Sequence, residues 1–121
     1  MQKIATEAQH QEALFQWWAL VHHRYGLPEC ALLHVPNEGR RSVQNALRLK
    51  RQGLRKGCSD ILLCAHNSKY HGLWIELKRW GGRATQEQLE FLDAMKDCGY
   101  DGAVCVEWET ARDKITEYLA G

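Results

Sequence analysis

Asp60, Glu76 and Lys78 are the residues of this chain whose types and spacing could do hydrolytic chemistry. They sit at the working ends of two apolar runs, Gly57-Cys58-Ser59-Asp60-Ile61-Leu62-Leu63 and Gly72-Leu73-Trp74-Ile75-Glu76-Leu77-Lys78. If both runs are strands, their two-residue period sets Leu73, Ile75 and Leu77 on one face and Trp74, Glu76 and Lys78 on the other. An Asp at the mouth of the neighbouring strand then joins Glu76 and Lys78. The result is two hard oxygen ligands for a divalent cation with an ammonium beside them, a set sufficient to hydrolyse a phosphodiester. Taken singly, Glu76 and Lys78 read as a surface pair and Asp60 as a turn residue. It is the combination that points to a metal-dependent nuclease.

The charge distribution agrees. Net charge is only +1, yet Arg40, Arg41, Arg48, Lys50, Arg51, Arg55 and Lys56 place seven of the sixteen basic residues just before Asp60, with no acid between 40 and 56. Such a segment can track phosphates, since counterion release favours clustered cations on nucleic acid; it can also be a solvated helix face. With 121 residues and 45% hydrophobic content, the chain is expected to form one domain over 1–121. Five cysteines, odd in number, and the lack of a signal-like or membrane-spanning apolar run suit a reducing cytoplasmic setting. No phosphate-binding loop or nucleophile motif is present, so no nucleotide cofactor and no membrane partner are expected.

The elements that must position these residues follow from periodicity. Residues 7–25 read as a helix, with Leu14, Trp17, Trp18, Val21 and Tyr25 at three-to-four spacing, a Thr6/Gln9 capping box and a stop at Gly26 and Pro28. Residues 31–35 read as a strand, 43–52 as a basic helix ended by Gly53, and 60–64 and 73–78 as strands of a hairpin. A helix over 85–98 carries Leu89, Leu92 and Met95 on one stripe with Phe91 beside it. A strand at 103–106 and a helix at 111–119, with Thr110 as N-cap and Ala111, Ile115, Tyr118 and Leu119 inward, complete the chain. This order predicts an α/β sandwich around a small mixed sheet flanked by helices.

Two further residues have two readings each. At one hundred degrees per residue, Glu7 shares the inward side of the first helix with Leu14, Trp18, Val21 and Tyr25, whereas Glu12 falls nearly opposite. A shared metal ion would stabilise a carboxylate there; so would the macrodipole at the first turn. Gln88 completes a capping box with Thr85, and the Gly81-Gly82 turn also returns its helix just after Lys78.

On these residues the chain resembles the virus-type replication-repair nuclease (VRR-NUC) domain, a branch of the PD-(D/E)XK, restriction-endonuclease-like superfamily. Its pattern of an acid in the first helix, G-x-P-D, E-x-K and a downstream Gln is matched by Glu7, Gly57 to Asp60, Glu76 with Lys78, and Gln88. The similarity also takes in Glu7-x-x-x-Gln11, the His34-Val35-Pro36-Asn37-Glu38-Gly39 turn and the Gly82-Arg83-Ala84-Thr85 approach. Ser59 stands where the family usually has Pro, which loosens the backbone before Asp60. The resemblance implies a restriction-endonuclease-like core and a magnesium- or manganese-dependent DNA endonuclease. It implies Asp60, Glu76, Lys78 and Gln88 as catalytic, and Glu7, Asp60, Glu76 and the Leu77 carbonyl as metal ligands. It also implies a homodimer acting on branched DNA such as four-way (Holliday) junctions, in a bacterial or phage-infected host. Trp17, Trp80 and Trp108 could contribute to a dimer surface, and each also reads as core or rim packing.

Three other readings stand beside this one. A non-catalytic nucleic-acid-binding module would use the basic segment alone. A nuclease of the same site could act on flaps or linear ends. A structural zinc site would draw on Cys30, His34, Cys64 and His66, but the chain has no Cys-x-x-Cys pair.

Overall fold

The computed structural model describes residues 3–36 and 42–121. Helix α1 (Glu7–Val21) starts where expected, because Thr6 Oγ1 accepts the Gln9 N–H and Gln9 returns its side-chain oxygen to the Thr6 N–H. It does not run to Tyr25. The chain tightens into a 3-10 turn over His22–Tyr25, which Gly26 ends at φ 69°. Tyr25 is therefore not an inward residue, although its ring stacks on Trp18 at 6.2 Å.

Four short strands form one mixed sheet: β1 (Leu32–His34), β2 (Ile61–Leu63), β3 (Leu73–Lys78) and β4 (Asp101–Val106), in the order β1-β2-β3-β4. The β1/β2 and β2/β3 pairs are antiparallel, so 60–64 and 73–78 do form the expected hairpin, while β3 and β4 are parallel. A parallel pair needs a crossover, and helix α3 (Gln86–Asp97) supplies it. Strand β4 begins two residues earlier than the apolar pattern suggests, because Asp101 pairs with Leu73 and Gly102 with Trp74.

The buried cluster joins Leu73, Ile75 and Leu77 of β3 and Ile61 and Leu63 of β2 to Leu14 and Trp18 of α1 and to Ala111, Ile115 and Tyr118 of helix α4 (Trp108–Ala120). On the alternate residues of β3, Trp74 meets Phe91 of α3 edge-on at 5.0 Å. Leu92 is the buried residue of α3; Leu89, expected on the same stripe, is 42% exposed, because the first turn of α3 overhangs the loop at Gly57 rather than the sheet. Helix α4 starts at Trp108, three residues before the expected start, and Glu107 rather than Thr110 is its N-cap. Trp80 is exposed, whereas Trp17 and Trp108 pack against the core.

Helix α2 (Val43–Arg51) starts at Ser42, whose hydroxyl accepts the Asn45 N–H, and buries none of its side chains. Arg40 and Arg41 lie outside the described residues. Among the described residues all five cysteines are free thiols, and no helix is long and apolar enough to cross a membrane.

Candidate active site

The β2/β3 register decides where the acids go. Ile61 pairs with Ile75 at the end of the antiparallel ladder, so Asp60, one residue beyond it, is delivered beside Glu76. The backbone of Asp60 is pinned by the end of β1: its carbonyl accepts the Val35 N–H at 2.7 Å and the His34 Nδ1–H at 3.0 Å. Glu7 reaches the same point from the first turn of α1. One ligand oxygen from each of Glu7, Asp60 and Glu76 lies within 4.8 Å of the others.

Glu76 is fully buried and Asp60 nearly so, yet Asp60 Oδ2 and both carboxylate oxygens of Glu76 have no hydrogen-bond partner among the described residues. Lys78 Nζ lies 3.5 Å from Glu76 Oε2, close enough to pair with its charge without a well-formed hydrogen bond. Burial, then the adjacent Asp60, pushes the Glu76 carboxyl up to about 9, against the opposing pull of Lys78. Burial and the neighbouring carboxylate thus favour the protonated form of Glu76 in the metal-free site. Cys58 beside it is raised by burial and then by the charges of Glu76 and Asp60. Clustered, unsatisfied hard oxygens with an excess of negative charge fit a divalent cation, which would take the place of that proton.

A family model described as VRR-NUC domain matches residues 2–107. The chain belongs to the VRR-NUC domain family. Its members are nucleases of the PD-(D/E)XK type. A solved structure titled "VRR_NUC domain protein" has the same fold, at a TM-score of 0.84 and 24% identity, over 98% of this chain and 92% of that one. No curated protein matches the chain.

In this VRR-NUC domain, Gln88 makes the expected capping box, its side-chain oxygen accepting the Thr85 N–H at 2.7 Å. It also lines a recess with Asp60, Gly57 and Lys56, so the structural role and the place beside the site coexist. Its carboxamide NH2 remains as a donor. Gly57 makes this recess possible: at φ 82° it packs so closely on α3 that a Cβ would sit 2.5 Å from the Glu87 carbonyl oxygen. Ser59, in place of the family's Pro, is fully buried, and its hydroxyl has no hydrogen-bond partner among the described residues. A second recess, about 410 Å³, is lined by Glu7, Gln11, Glu12, His34 and Lys78.

Lys56 lines the Asp60 recess and pairs with Glu87 at 3.3 Å. Arg48 bonds Asn45 on α2, and Lys50, Arg51 and Arg55 are exposed. Among the described residues, Glu7, Asp60 and Glu76 are the group able to share a metal ion, and Cys30, Cys64 and His66 form no such group with His34. Two histidines near the acids are given no role with them by the sequence, His34 being read only within the similar turn and as a candidate zinc ligand. His34 follows from no local signal, whereas His10 is visible in retrospect, since it lies three residues after Glu7 and four before Leu14 on the inward stripe.

Proposed function

We infer that the chain is a magnesium- or manganese-dependent endodeoxyribonuclease, a single nuclease domain over 1–121 that works as a homodimer on branched DNA such as four-way junctions. The observation that carries this reading is the set of three converging carboxylates, two of them buried with unsatisfied oxygens, beside Lys78.

Asp60 and Glu76, with Glu7 and the Leu77 carbonyl, would hold the ion. A divalent ion bound there supplies Lewis-acid stabilisation of anionic oxygens and makes water acidic enough to attack at neutral pH. The remaining work belongs to the chain. Asp60 and Glu76 are fixed by the strand register, so they need no reorganisation when substrate arrives. Lys78 is 12% exposed at its side chain with its ammonium beside Glu76; there it would orient the attacking water and offset the charge gathering on the phosphorane. The Gln88 NH2 donates to the same water or to a phosphate oxygen. Lys56 and Arg55, with Arg48, Lys50 and Arg51 of α2 and Arg40 and Arg41 before it, engage flanking phosphates.

An isologous dimer would give two identical sites for paired incisions on symmetry-related strands, and the exposed Val43, Leu47 and Trp80 offer apolar surface for it. The five free thiols suit the cytoplasm.

The test is a cleavage assay on labelled four-way junctions beside flaps, linear duplex and single strands, with magnesium, manganese or chelator. Symmetric, metal-dependent nicks on the junction are expected, with cleavage but not binding abolished in Asp60→Ala. Full activity in Asp60→Ala would sink the assignment of the site. Metal-independent binding without cleavage of any substrate would replace the nuclease by a binding module.

A further inference from the structure

The geometry points to His10 as a positioning residue that sets Glu7 against the end of β3, an inference that rests on the metal-site reading above. Glu7 arrives from a helix, Asp60 and Glu76 from strands, so their convergence requires the first turns of α1 to be held at one place. Core packing does not begin until Leu14. Among residues 7–13, His10 is the only buried side chain.

Its anchorage is directional. His10 Nδ1 lies 3.2 Å from the Trp108 backbone nitrogen, and an amide can only donate, so Nδ1 carries the lone pair and Nε2 the proton of the neutral ring. Trp108 opens α4, whose N-cap Glu107 makes no side-chain capping bond, so His10 caps this helix from 98 residues away. Glu107 is the sole described non-glycine residue at positive φ, with φ 70° and ψ 151°, a region that essentially only glycine occupies. Its own N–H bonds the Lys78 carbonyl at 2.7 Å. Two successive amides thus tie the two sides of the site together, Glu107 to the last residue of β3 and Trp108 to α1 one turn after Glu7. The strained corner between β4 and α4 is held from both directions.

His10 bears a cost for this. Its Nε2–H is buried without a partner among the described residues, so an apolar residue would be relieved of that donor while losing the cap. Fold stability and site geometry should therefore separate on substitution.

The experiment measures Mn²⁺ affinity by electron paramagnetic resonance titration of the full chain, together with thermal stability and amide exchange at Trp108 in metal-free protein. The variants are His10→Leu, His10→Asn and, as reference, Asp60→Asn. Asn offers Oδ1 where the ring offers Nδ1. The Leu variant should lose about tenfold or more in Mn²⁺ affinity and the protection of the Trp108 amide while melting close to the parent. The Asn variant should restore both. Parent-like Mn²⁺ affinity in the Leu variant, or an Asn variant no better than Leu, overturns the positioning role. If the Leu variant does not fold, Asn is compared with His10→Gln, which moves the acceptor one bond outward, and equal affinity in these two overturns it as well. Absence of Mn²⁺ binding in the parent, or undiminished binding in Asp60→Asn, removes the metal reading and this inference together, a pattern distinct from failure at His10 alone.

Discussion

At the scale of single residues, Glu76 carries the largest electrostatic tension among the described residues, and its titration sets a pH dependence with a definite sign. Its carboxyl titrates near 4.5 in an unfolded chain and about 9 in the fold, with burial as the first cause and Asp60 as the second. Between those values the native state holds a proton that the unfolded state has lost. Stability from this group is therefore fully present below about 4.5 and lost as pH climbs through about 9. Metal-free protein should melt at progressively lower temperature from pH 6 to pH 9, and Mn²⁺, which displaces the proton, should restore more at the alkaline end. In Glu76→Gln the carboxyl is gone, so both the pH slope and the metal response should flatten. Differential scanning fluorimetry across pH, with and without Mn²⁺, reads both. A parent protein whose melting temperature rises from pH 6 to pH 9 without metal would show that Glu76 stays ionised.

At the scale of elements, the site depends on one close approach between a loop and a helix. Gly57 combines φ 82° with backbone contact to Glu87, and so brings the Asp60 loop beside Gln88 at the start of α3. Gly57→Ala adds strain at positive φ, about 1–3 kcal/mol, and a clash that backbone must relieve. It should lower stability by at least that amount in a urea titration and impair cleavage, whereas Gly53→Ala, with φ 105° but open space, should cost less and spare activity. Equal losses would mean that the Gly57 contact does not matter. The elements also show which structure is legible in a sequence. The starts of α1 and α3 were readable because their capping boxes, Thr6 with Gln9 and Thr85 with Gln88, are local. Strand β3 was readable to the residue from its alternation between Gly72 and the Gly81-Gly82 turn. The start of α4 was not, because its first amide is capped by His10 through the fold, and Thr110 was the best local candidate. The early start of β4 likewise comes from its parallel partner and not from Asp101 or Gly102 themselves. The clustering of the acids was legible in part: strand register carries Asp60 beside Glu76 and helical phase turns Glu7 inward, while the placement of α1 itself is set by tertiary contacts. His34 acts through a tertiary bond that leaves no mark in local spacing, whereas the spacing of His10 puts it on the inward stripe of α1 without revealing its bond to Trp108.

At the scale of the whole molecule, the proposed binding and chemistry fall on separable parts. The acids sit on the sheet and the first turn of α1, while α2 carries Arg48, Lys50 and Arg51, no acid and no buried side chain. An element that contributes nothing to the buried core can be altered without unfolding the site. Each lost phosphate contact reduces the slope of log binding constant against log salt by about 0.9 on duplex DNA. The pair Arg48→Glu with Arg51→Glu should therefore weaken DNA binding, reduce that slope by about 2, and leave the single-turnover cleavage rate at saturating protein within about twofold of the parent. Lys78→Ala should do the reverse, with binding and salt slope retained and the rate lost, because in the proposed mechanism its ammonium acts on charge that develops in the transition state. Fluorescence anisotropy across a salt series, paired with single-turnover kinetics, separates the two. Should the α2 variant keep the parent's salt slope, the phosphate-tracking surface lies elsewhere and the basic helix is a solvated face. Should it lose the rate at saturation as well, α2 helps to form the site itself rather than merely delivering DNA to it.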